Sequence, residues 1–144
     1  MRRLLIVADD PLTGHAIRLA LRQTTGFQVV GCLDGRRTIR GEVAALAPDV
    51  VLVDDADGPV DAISRLREAA EEAAGARVLL LTEDVSDARV AEAFDAGAHG
   101  VIAKAMHPIA LGTLLREIVR GNVIQRFEPA TPPFSPGILL TAWQ

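Results

Sequence analysis

The sequence alternates short apolar runs with longer segments of helical periodicity, and this alternation restricts the fold more than any other feature. Five runs rich in leucine or β-branched residues are short enough to be buried strands. They span residues 4–8, 27–32, 50–53, 77–81 and 100–103. Regular alternation of this kind is typical of a parallel sheet that is covered by helices on both faces. We therefore expect an α/β domain.

The segments between the runs have the apolar spacing of helices that pack one face on a sheet. The repeating residues are Ile39, Val43 and Leu46, then Val60, Ile63, Leu66 and Ala70, then Val90 and Phe94, then Leu111, Leu115 and Ile118. Pro11 and Pro108 suit the first turn of a helix, whereas Pro48, Gly75 and Gly97 suit its end. These residues predict where the helices begin and stop.

The size and composition of the chain indicate one soluble domain. A chain of 144 residues with 49% hydrophobic content fills a single core. The formal charge of −4 provides no general attraction to nucleic acid. Every apolar run is much shorter than the about 20 residues that a membrane-spanning helix requires. The lone Cys32 cannot form an internal disulfide, so we expect a cytoplasmic protein in which Cys32 is a small buried residue.

The composition of the sequence changes near residue 121. Four prolines fall within residues 128–137, too many for a helix to continue. We expect a folded domain over residues 1–121, followed by a Pro-rich linker or C-terminal tail over residues 122–144.

Polar side chains follow four of the predicted strands at their carboxyl ends, where open α/β sheets have their functional crevice. They are Asp9 and Asp10 after the first strand, Asp54 and Asp55 after the third, Thr82 after the fourth and Lys104 after the fifth. Because parallel strands end at the same edge of a sheet, we expect these residues to converge on one acidic pocket.

The residue types of this pocket suit the formation of an aspartyl phosphate. The carboxylates of Asp9 and Asp54, with Asp10 as a further candidate, repel one another and favour a hard cation such as Mg²⁺. Asp54 can attack a phosphoryl donor if Lys104 neutralises charge on the transferred oxygens. The Thr82 hydroxyl can bond a phosphoryl oxygen and so sense its presence. We predict a phosphorylation switch centred on Asp54.

Several motifs, taken in order, resemble the receiver domain of two-component response regulators. They lie at residues 4–12, 48–54, 78–82 and 96–104, and the resemblance covers residues 2 to about 121. Residues 27–31 and 96–98 most resemble receivers of the LuxR/NarL-type subfamily. That subfamily often carries a DNA-binding helix-turn-helix output domain, which we expect to be absent from this chain.

The resemblance implies a flavodoxin-like, doubly wound, five-stranded parallel sheet in the order 2-1-3-4-5. It makes Asp54 the phosphoacceptor, Lys104 the phosphoryl contact and Thr82 the switch hydroxyl. The implied metal ligands are Asp9, Asp54 and the backbone carbonyl of Ala56. It also implies a sensor histidine kinase as phosphoryl donor, and a domain that is not an enzyme beyond slow self-dephosphorylation.

This sequence departs from the receiver pattern at several positions around the pocket. Ala8 stands where the first acid is usual, so we expect Mg²⁺ to bind weakly. Val101 replaces the usual aromatic residue, and the chain has no tyrosine to couple the site to its surface. Glu83 follows the switch hydroxyl in place of a small residue, and Ala105 follows the lysine.

Two other functions remain open on the sequence alone. Ala8 and Val101 suit a phosphorylation-independent pseudo-receiver that binds a protein or ligand. Asp55 with residues 56–57 resembles, more weakly, the signature of haloacid-dehalogenase-type phosphatases that use an aspartate nucleophile. For partners we expect a sensor histidine kinase and, as a further candidate, a second copy of the chain. We expect no direct nucleic-acid contact by this domain and no membrane contact.

Overall fold

The computed structural model describes residues 2–8, 11–22, 26–55, 59–104 and 108–120, which form five strands and five helices in strict alternation. The strands are β1 (Arg2–Ala8), β2 (Phe27–Asp34), β3 (Val50–Asp54), β4 (Arg77–Thr82) and β5 (Gly100–Ala103). The helices are α1 (Pro11–Leu21), α2 (Arg40–Leu46), α3 (Pro59–Glu72), α4 (Asp87–Asp95) and α5 (Pro108–Arg120). The predicted strands are all present, and four of them extend by one or two residues beyond the predicted range at one end.

The strands form one parallel sheet in the order β2-β1-β3-β4-β5, which confirms the predicted topology. Asp54 at the end of β3 pairs with Leu81, and Thr82 at the end of β4 pairs with Ala103. The carboxyl ends of β3, β4 and β5 are therefore level with one another. This register brings the residues that follow the strands to one edge of the sheet.

Successive side chains of the buried strands point to opposite faces, so the sheet has two separate cores. Leu52 belongs to the core covered by α1 and α5, which we call the α1/α5 face. The next residue, Val53, belongs to the core covered by α2, α3 and α4, which we call the α4 face. This alternation also separates the two aspartates at the end of β3.

Local sequence determines where α4 begins and ends. The Ser86 hydroxyl accepts a hydrogen bond from the backbone N–H of Arg89 at 3.3 Å and so caps the helix. After the helix, Gly97 has a φ of +108°, and a Cβ built there would lie 2.6 Å from the Cβ of Ala70. The cap places Arg89 in the first turn of α4, with its side chain directed into the protein.

The expectation that Cys32 is buried is wrong, because its side chain is exposed. β2 is an edge strand, and Cys32 faces Gly14 of α1, which has no side chain to cover the thiol. None of the helices in the described ranges has both the length and the apolarity that a membrane span requires. The predicted tail, residues 122–144, lies outside the described residues, so the domain boundary near residue 121 stays a prediction.

Candidate functional site

Asp54 and Lys104 form an ion pair at the carboxyl edge of the sheet. The Lys104 ammonium lies 3.0 Å from Oδ1 of Asp54. The Asp54 side chain is 0% exposed and that of Lys104 is 20% exposed. Lys104 is also the only lysine in a chain with 15 basic Lys and Arg residues. The structure thus brings together two residues that the sequence predicted to act on the same phosphoryl group.

Asp55 makes a second polar cluster on the opposite side of the same edge. Its Oδ2 accepts a hydrogen bond of 2.5 Å from the Thr82 hydroxyl and one of 2.8 Å from Nη2 of Arg89. Its Oδ1 lies 3.7 Å from the Lys104 ammonium. Because neighbouring strand residues point to opposite faces, Asp54 turns to the α1/α5 face and Asp55 to the α4 face. Lys104 stands between the two carboxylates.

The Thr82 side chain is fully buried and is held by its neighbours on the α4 face. Besides donating to Asp55, its hydroxyl oxygen accepts a hydrogen bond of 3.0 Å from the backbone N–H of Asp84. The backbone N–H of Lys104 donates to the Thr82 carbonyl at 2.9 Å. The hydroxyl predicted to sense phosphate on Asp54 is therefore engaged with the adjacent carboxylate, Asp55.

Arg89 is a site residue that the sequence reasoning missed. Its side chain is 3% exposed, although arginine is rarely buried without a paired charge. The available signal was its spacing, because Arg89 lies four residues before Ala93 and next to Val90, both on the buried face of α4. An arginine on the apolar stripe of a short helix indicates a carboxylate partner inside the protein.

A cavity of about 360 Å³ opens beside Asp54 on the α1/α5 face. Its walls come from both helices and from the ends of three strands, and they are mostly apolar. The lining residues are Thr13, Ala16, Ile17, Ala20, Asp54, Leu81, Glu83, Ala103, Lys104 and Leu111. Asp54, Lys104 and Glu83 contribute charge to a wall that is built mainly from small and aliphatic side chains. This cavity provides room for a small group next to the Asp54 carboxylate.

Three of the departures from the receiver pattern have visible structural consequences. Val101 is fully buried in the core of the α4 face, where its small side chain fills a packed site. Glu83 is exposed at the rim of the cavity beside Asp54. Ala8, which stands where an acid is usual, is buried in the core of the α1/α5 face and offers no ligand atom beyond its backbone.

His99 has a structural role. Nδ1 of His99 accepts a hydrogen bond of 3.0 Å from the backbone N–H of Val78, and the His99 backbone N–H donates to the Val78 carbonyl at 2.7 Å. Burial lowers the pKa of His99, and the nearby Arg77 lowers it further. This pair joins the amino ends of β4 and β5, away from the candidate site.

The fold and the site together define a class of flavodoxin-like α/β domain with an aspartate, a lysine and a threonine at the carboxyl edge of the sheet. The chain belongs to the response regulator receiver domain family, whose model matches residues 4–116. This membership confirms the family that the sequence motifs resemble. Receiver domains are signalling domains of two-component systems and are phosphorylated by histidine kinases.

Individual relatives agree with this assignment. The chain is 33% identical over 103 residues to protein-glutamate methylesterase/protein-glutamine glutaminase 2 of Cereibacter sphaeroides, covering 71% of this chain and 28% of that protein. It is 28% identical over 124 residues to a nitrate/nitrite response regulator protein homolog of Haemophilus influenzae, covering 85% of this chain and 59% of that protein. The chain thus spans less than two thirds of the length of either relative. The resemblance to NarL-type receivers is confirmed.

A solved structure supports the fold independently. The isolated receiver domain of RcsB from Salmonella enterica serovar Typhimurium, determined in the presence of the phosphomimetic BeF₃⁻, superposes with a TM-score of 0.72. The two chains are 21% identical, and the match covers 96% of this chain and 98% of that one. At this level of identity the match confirms the flavodoxin-like fold.

The described part of the site supplies one of the predicted magnesium ligands. Receiver domains generally bind Mg²⁺ at the phosphorylation site, and the Asp54 carboxylate is the oxygen donor type that Mg²⁺ prefers. Asp9, Asp10 and the carbonyl of Ala56 fall outside the described residues. Within the ranges the structure describes, no group of three or more His, Cys, Asp or Glu residues is placed to hold a metal. The chemistry of Asp54 fits Mg²⁺, and the remaining ligands stay predictions.

Proposed function

We propose that this receiver domain accepts a phosphoryl group on Asp54 from a sensor histidine kinase and transmits the change to a partner protein or a second copy of the chain. The observation that carries the proposal is the Asp54–Lys104 pair, a buried strand-end carboxylate 3.0 Å from an ammonium group. It belongs to a domain of the family that histidine kinases phosphorylate. Because the single cysteine cannot form an internal disulfide, the proposal places the reaction in the cytoplasm.

The proposed reaction is a displacement at phosphorus. A carboxylate oxygen of Asp54 forms a P–O bond while the P–N bond of a phosphohistidine breaks, and the leaving imidazole takes up a proton. The product is an acyl phosphate with more negative charge than the carboxylate it replaces. Lys104 stabilises that added charge, because its ammonium already lies within ion-pair distance of the acceptor oxygen.

Magnesium would support the same step through the predicted ligands Asp9, Asp54 and the Ala56 carbonyl. When bound, the ion supplies positive charge that offsets the repulsion between clustered carboxylates and the phosphoryl oxygens. Asp10 is a further candidate ligand. With Ala8 in the place of an acid, the proposal includes weak magnesium binding.

In the proposed switch, the Thr82 hydroxyl turns from Asp55 to a phosphoryl oxygen on Asp54. The two aspartates are adjacent in the chain, and Thr82 directly follows Leu81, the β4 residue that pairs with Asp54. A hydroxyl carries one proton, so it cannot donate to Asp55 and to the phosphoryl group at the same time. Phosphorylation would therefore rearrange contacts that reach α4.

Intact-mass analysis after treatment with acetyl phosphate and Mg²⁺ tests the proposal. The natural chain should gain the mass of one phosphoryl group, and Asp54→Asn should gain none. Asp95→Asn is the matched control, because Asp95 is an exposed aspartate at the far end of α4. It should gain the same mass as the natural chain. Equal modification of the natural chain and Asp54→Asn would overturn the assignment of the acceptor.

One observation favours a second function, a phosphorylation-independent pseudo-receiver. The Asp54 side chain is completely buried, and the Lys104 ammonium lies 3.0 Å from its Oδ1. If this arrangement is rigid, the domain would recognise partners through its surface alone. A natural chain that gains no phosphoryl mass and shows no response to beryllofluoride with Mg²⁺ would establish this alternative.

A further inference from the structure

Three side chains from three different elements meet at the Asp55 carboxylate. Thr82 of β4 and Arg89 of α4 both donate to Oδ2, at 2.5 Å and 2.8 Å. Lys104, just after β5, lies 3.7 Å from Oδ1. Asp55 also continues the β3–β4 pairing, because its backbone N–H donates to the Leu81 carbonyl at 3.1 Å. The carboxylate thus links the acceptor edge of the sheet to α4.

The burial of this cluster is hard to explain as a stabilising feature. The side chains of Arg89 and Asp55 are 3% and 9% exposed, and removing two charges from water costs about as much as their attraction returns. A pair of apolar residues in the same place would serve the core at least as well. In some proteins a buried ion pair selects one arrangement over another, and the other contacts of Asp55 indicate which arrangement this pair selects.

Asp54 and Asp55 compete for the same two donors. Lys104 lies 3.0 Å from Asp54 and 3.7 Å from Asp55, so one ammonium serves both carboxylates. Thr82 is already hydrogen bonded to Asp55. A phosphoryl group on Asp54 would draw on both donors. The Thr82 hydroxyl has one proton and must leave Asp55 to reach it, whereas the Lys104 ammonium has three and would share its charge among more oxygens.

Building on the function proposed above, we propose that Asp55 is a positioning residue for phosphotransfer to Asp54. It holds the Thr82 hydroxyl and part of the Lys104 charge away from the acceptor, and it connects their release to α4 through Arg89. Asp55 therefore opposes phosphorylation and also transmits it. The proposed link between Asp54 and α4 consists of charged and hydroxyl groups. Receivers usually carry an aromatic residue at the position of Val101, and that residue couples the site to the surface.

The expected effect of phosphorylation on α4 follows from the donors that stay with Asp55. When Thr82 and Lys104 turn to the phosphoryl group, Arg89 becomes the main charged partner of Asp55 among the described residues. The ion pair then strengthens, because competing donors have left a buried, weakly screened site. Arg89 lies in the first turn of α4, so this turn should be held more firmly in the phosphorylated state.

Beryllofluoride binding with Mg²⁺ measures the first half of the proposal. Because Lys104 is the only lysine, selective ¹⁵N-lysine labelling yields one lysine amide signal, from the N–H that donates to the Thr82 carbonyl. Titration of that signal gives the affinity directly. Asp55→Asn should bind beryllofluoride about tenfold more tightly than the natural chain, since a hydrogen bond to a charged group is worth about that factor.

Amide hydrogen exchange over α4 (Asp87–Asp95) measures the second half. In the natural chain, beryllofluoride should slow exchange in the first turn of α4. In Asp55→Asn this slowing should shrink. In the double variant Asp55→Leu with Arg89→Leu it should vanish, while the protein stays folded because both members of the buried pair are replaced together. A residue that only supported the fold would weaken binding and the response alike.

Two controls separate this link from a general effect of charge. Glu92→Gln also removes a carboxylate near Arg89, at 3.7 Å, but Glu92 is exposed and has no contact with Thr82. It should keep the natural affinity and the natural α4 response. The double variant removes one charge of each sign, so its net charge equals that of the natural chain.

The outcomes distinguish this inference from the function on which it rests. Tighter binding with a reduced α4 response in Asp55→Asn supports it. Natural affinity and a natural α4 response in Asp55→Asn overturn it and leave the phosphoacceptor role of Asp54 intact. If the natural chain takes neither beryllofluoride nor phosphoryl mass, the proposed function is overturned, and the positioning role is overturned with it.

Discussion

The Lys104 ammonium lies 3.0 Å from the carboxylate of Asp54, and it makes this contact from the far side of β4, two strands away from β3. The Asp54 side chain is 0% exposed, so its charge depends on the protein rather than on water for stabilisation. Lys104 is therefore both a structural counter-ion in the resting domain and the proposed contact for the phosphoryl group. These two roles can be separated by substitution.

Lys104→Met removes the ammonium and retains a side chain of similar length. We expect the free energy of unfolding at neutral pH to fall by about 1–2 kcal/mol, less than for a fully buried pair because Lys104 is partly exposed. Phosphoryl loading from acetyl phosphate should fall about tenfold or more, as when one charge-stabilising donor is lost. Urea unfolding and intact-mass time courses measure the two effects.

Lys104→Arg is the matched control for that change, because it keeps the charge and alters its shape. It should retain most of the stability lost in Lys104→Met, while its loading should lie between those of the methionine variant and the natural chain. Loading by Lys104→Met at the natural rate would show that the ammonium has no part in the transfer.

Gly97→Ala should destabilise the domain more than Gly75→Ala does. Both glycines have positive φ, +108° and +90°, so either alanine costs about 1–2 kcal/mol in backbone strain. At Gly97 the new Cβ would also meet the Cβ of Ala70 at 2.6 Å, whereas at Gly75 it would meet nothing within 4 Å. The extra crowding adds about 1–3 kcal/mol. Equal midpoints for the two variants in denaturant unfolding would contradict the close packing of α3 against Gly97.

His99 should make the domain less stable in mild acid. Burial and the neighbouring Arg77 lower the pKa of His99 in the folded state, and neutral Nδ1 accepts from the Val78 N–H. As pH falls through about 6.5, the unfolded chain takes up the proton first, so stability is lost until the folded-state pKa is reached. The loss is at most about 1.4 kcal/mol per pH unit in that window.

Replacing His99 isolates this contribution. His99→Asn keeps an acceptor near the Val78 N–H and cannot titrate, so its unfolding free energy should fall less between about pH 7.5 and about pH 5 than that of the natural chain. His15→Asn is the control, because His15 is exposed on α1. Parallel pH profiles for the natural chain and His99→Asn would rule out a role for this histidine.

Glu68 should matter more to stability than its exposed neighbours on α3. Its Oε1 accepts from the Ile39 N–H at 2.8 Å and from the Thr38 hydroxyl at 3.1 Å, and Oε2 pairs with Arg65 at 3.1 Å. Glu68→Ala should cost about 2 kcal/mol or more, because a buried N–H at the start of α2 loses its acceptor. Thermal and urea unfolding measure the loss.

Glu72→Gln is the comparison for Glu68. Glu72 pairs with Arg40 at the surface, at 3.1 Å, and exposed pairs contribute little. Its substitution should change the unfolding free energy by about 0.5 kcal/mol or less. A similar loss from both substitutions would mean that Glu68 does not hold the start of α2.

Much of the fold could be predicted because its signals are local. The apolar runs and helical stripes recur within a few residues, and each reports the burial of its own segment. The order of strands and the family followed from motifs at strand ends, and both are confirmed. Cys32 was misjudged because burial of an edge strand depends on what faces it, here Gly14.

The candidate site was also predicted only in part from the sequence. The sequence alone was enough to single out Asp54, Thr82 and Lys104, since each directly follows or ends a buried strand. The prediction that Asp55 shares one pocket with Asp54 overlooked the alternation of side chains along a strand, which turns the two carboxylates to opposite faces. Only the tertiary structure decided their partners. Arg89 is 34 positions away from Asp55 in the chain, and a contact over that distance depends on how α4 packs on the sheet, which no local pattern encodes.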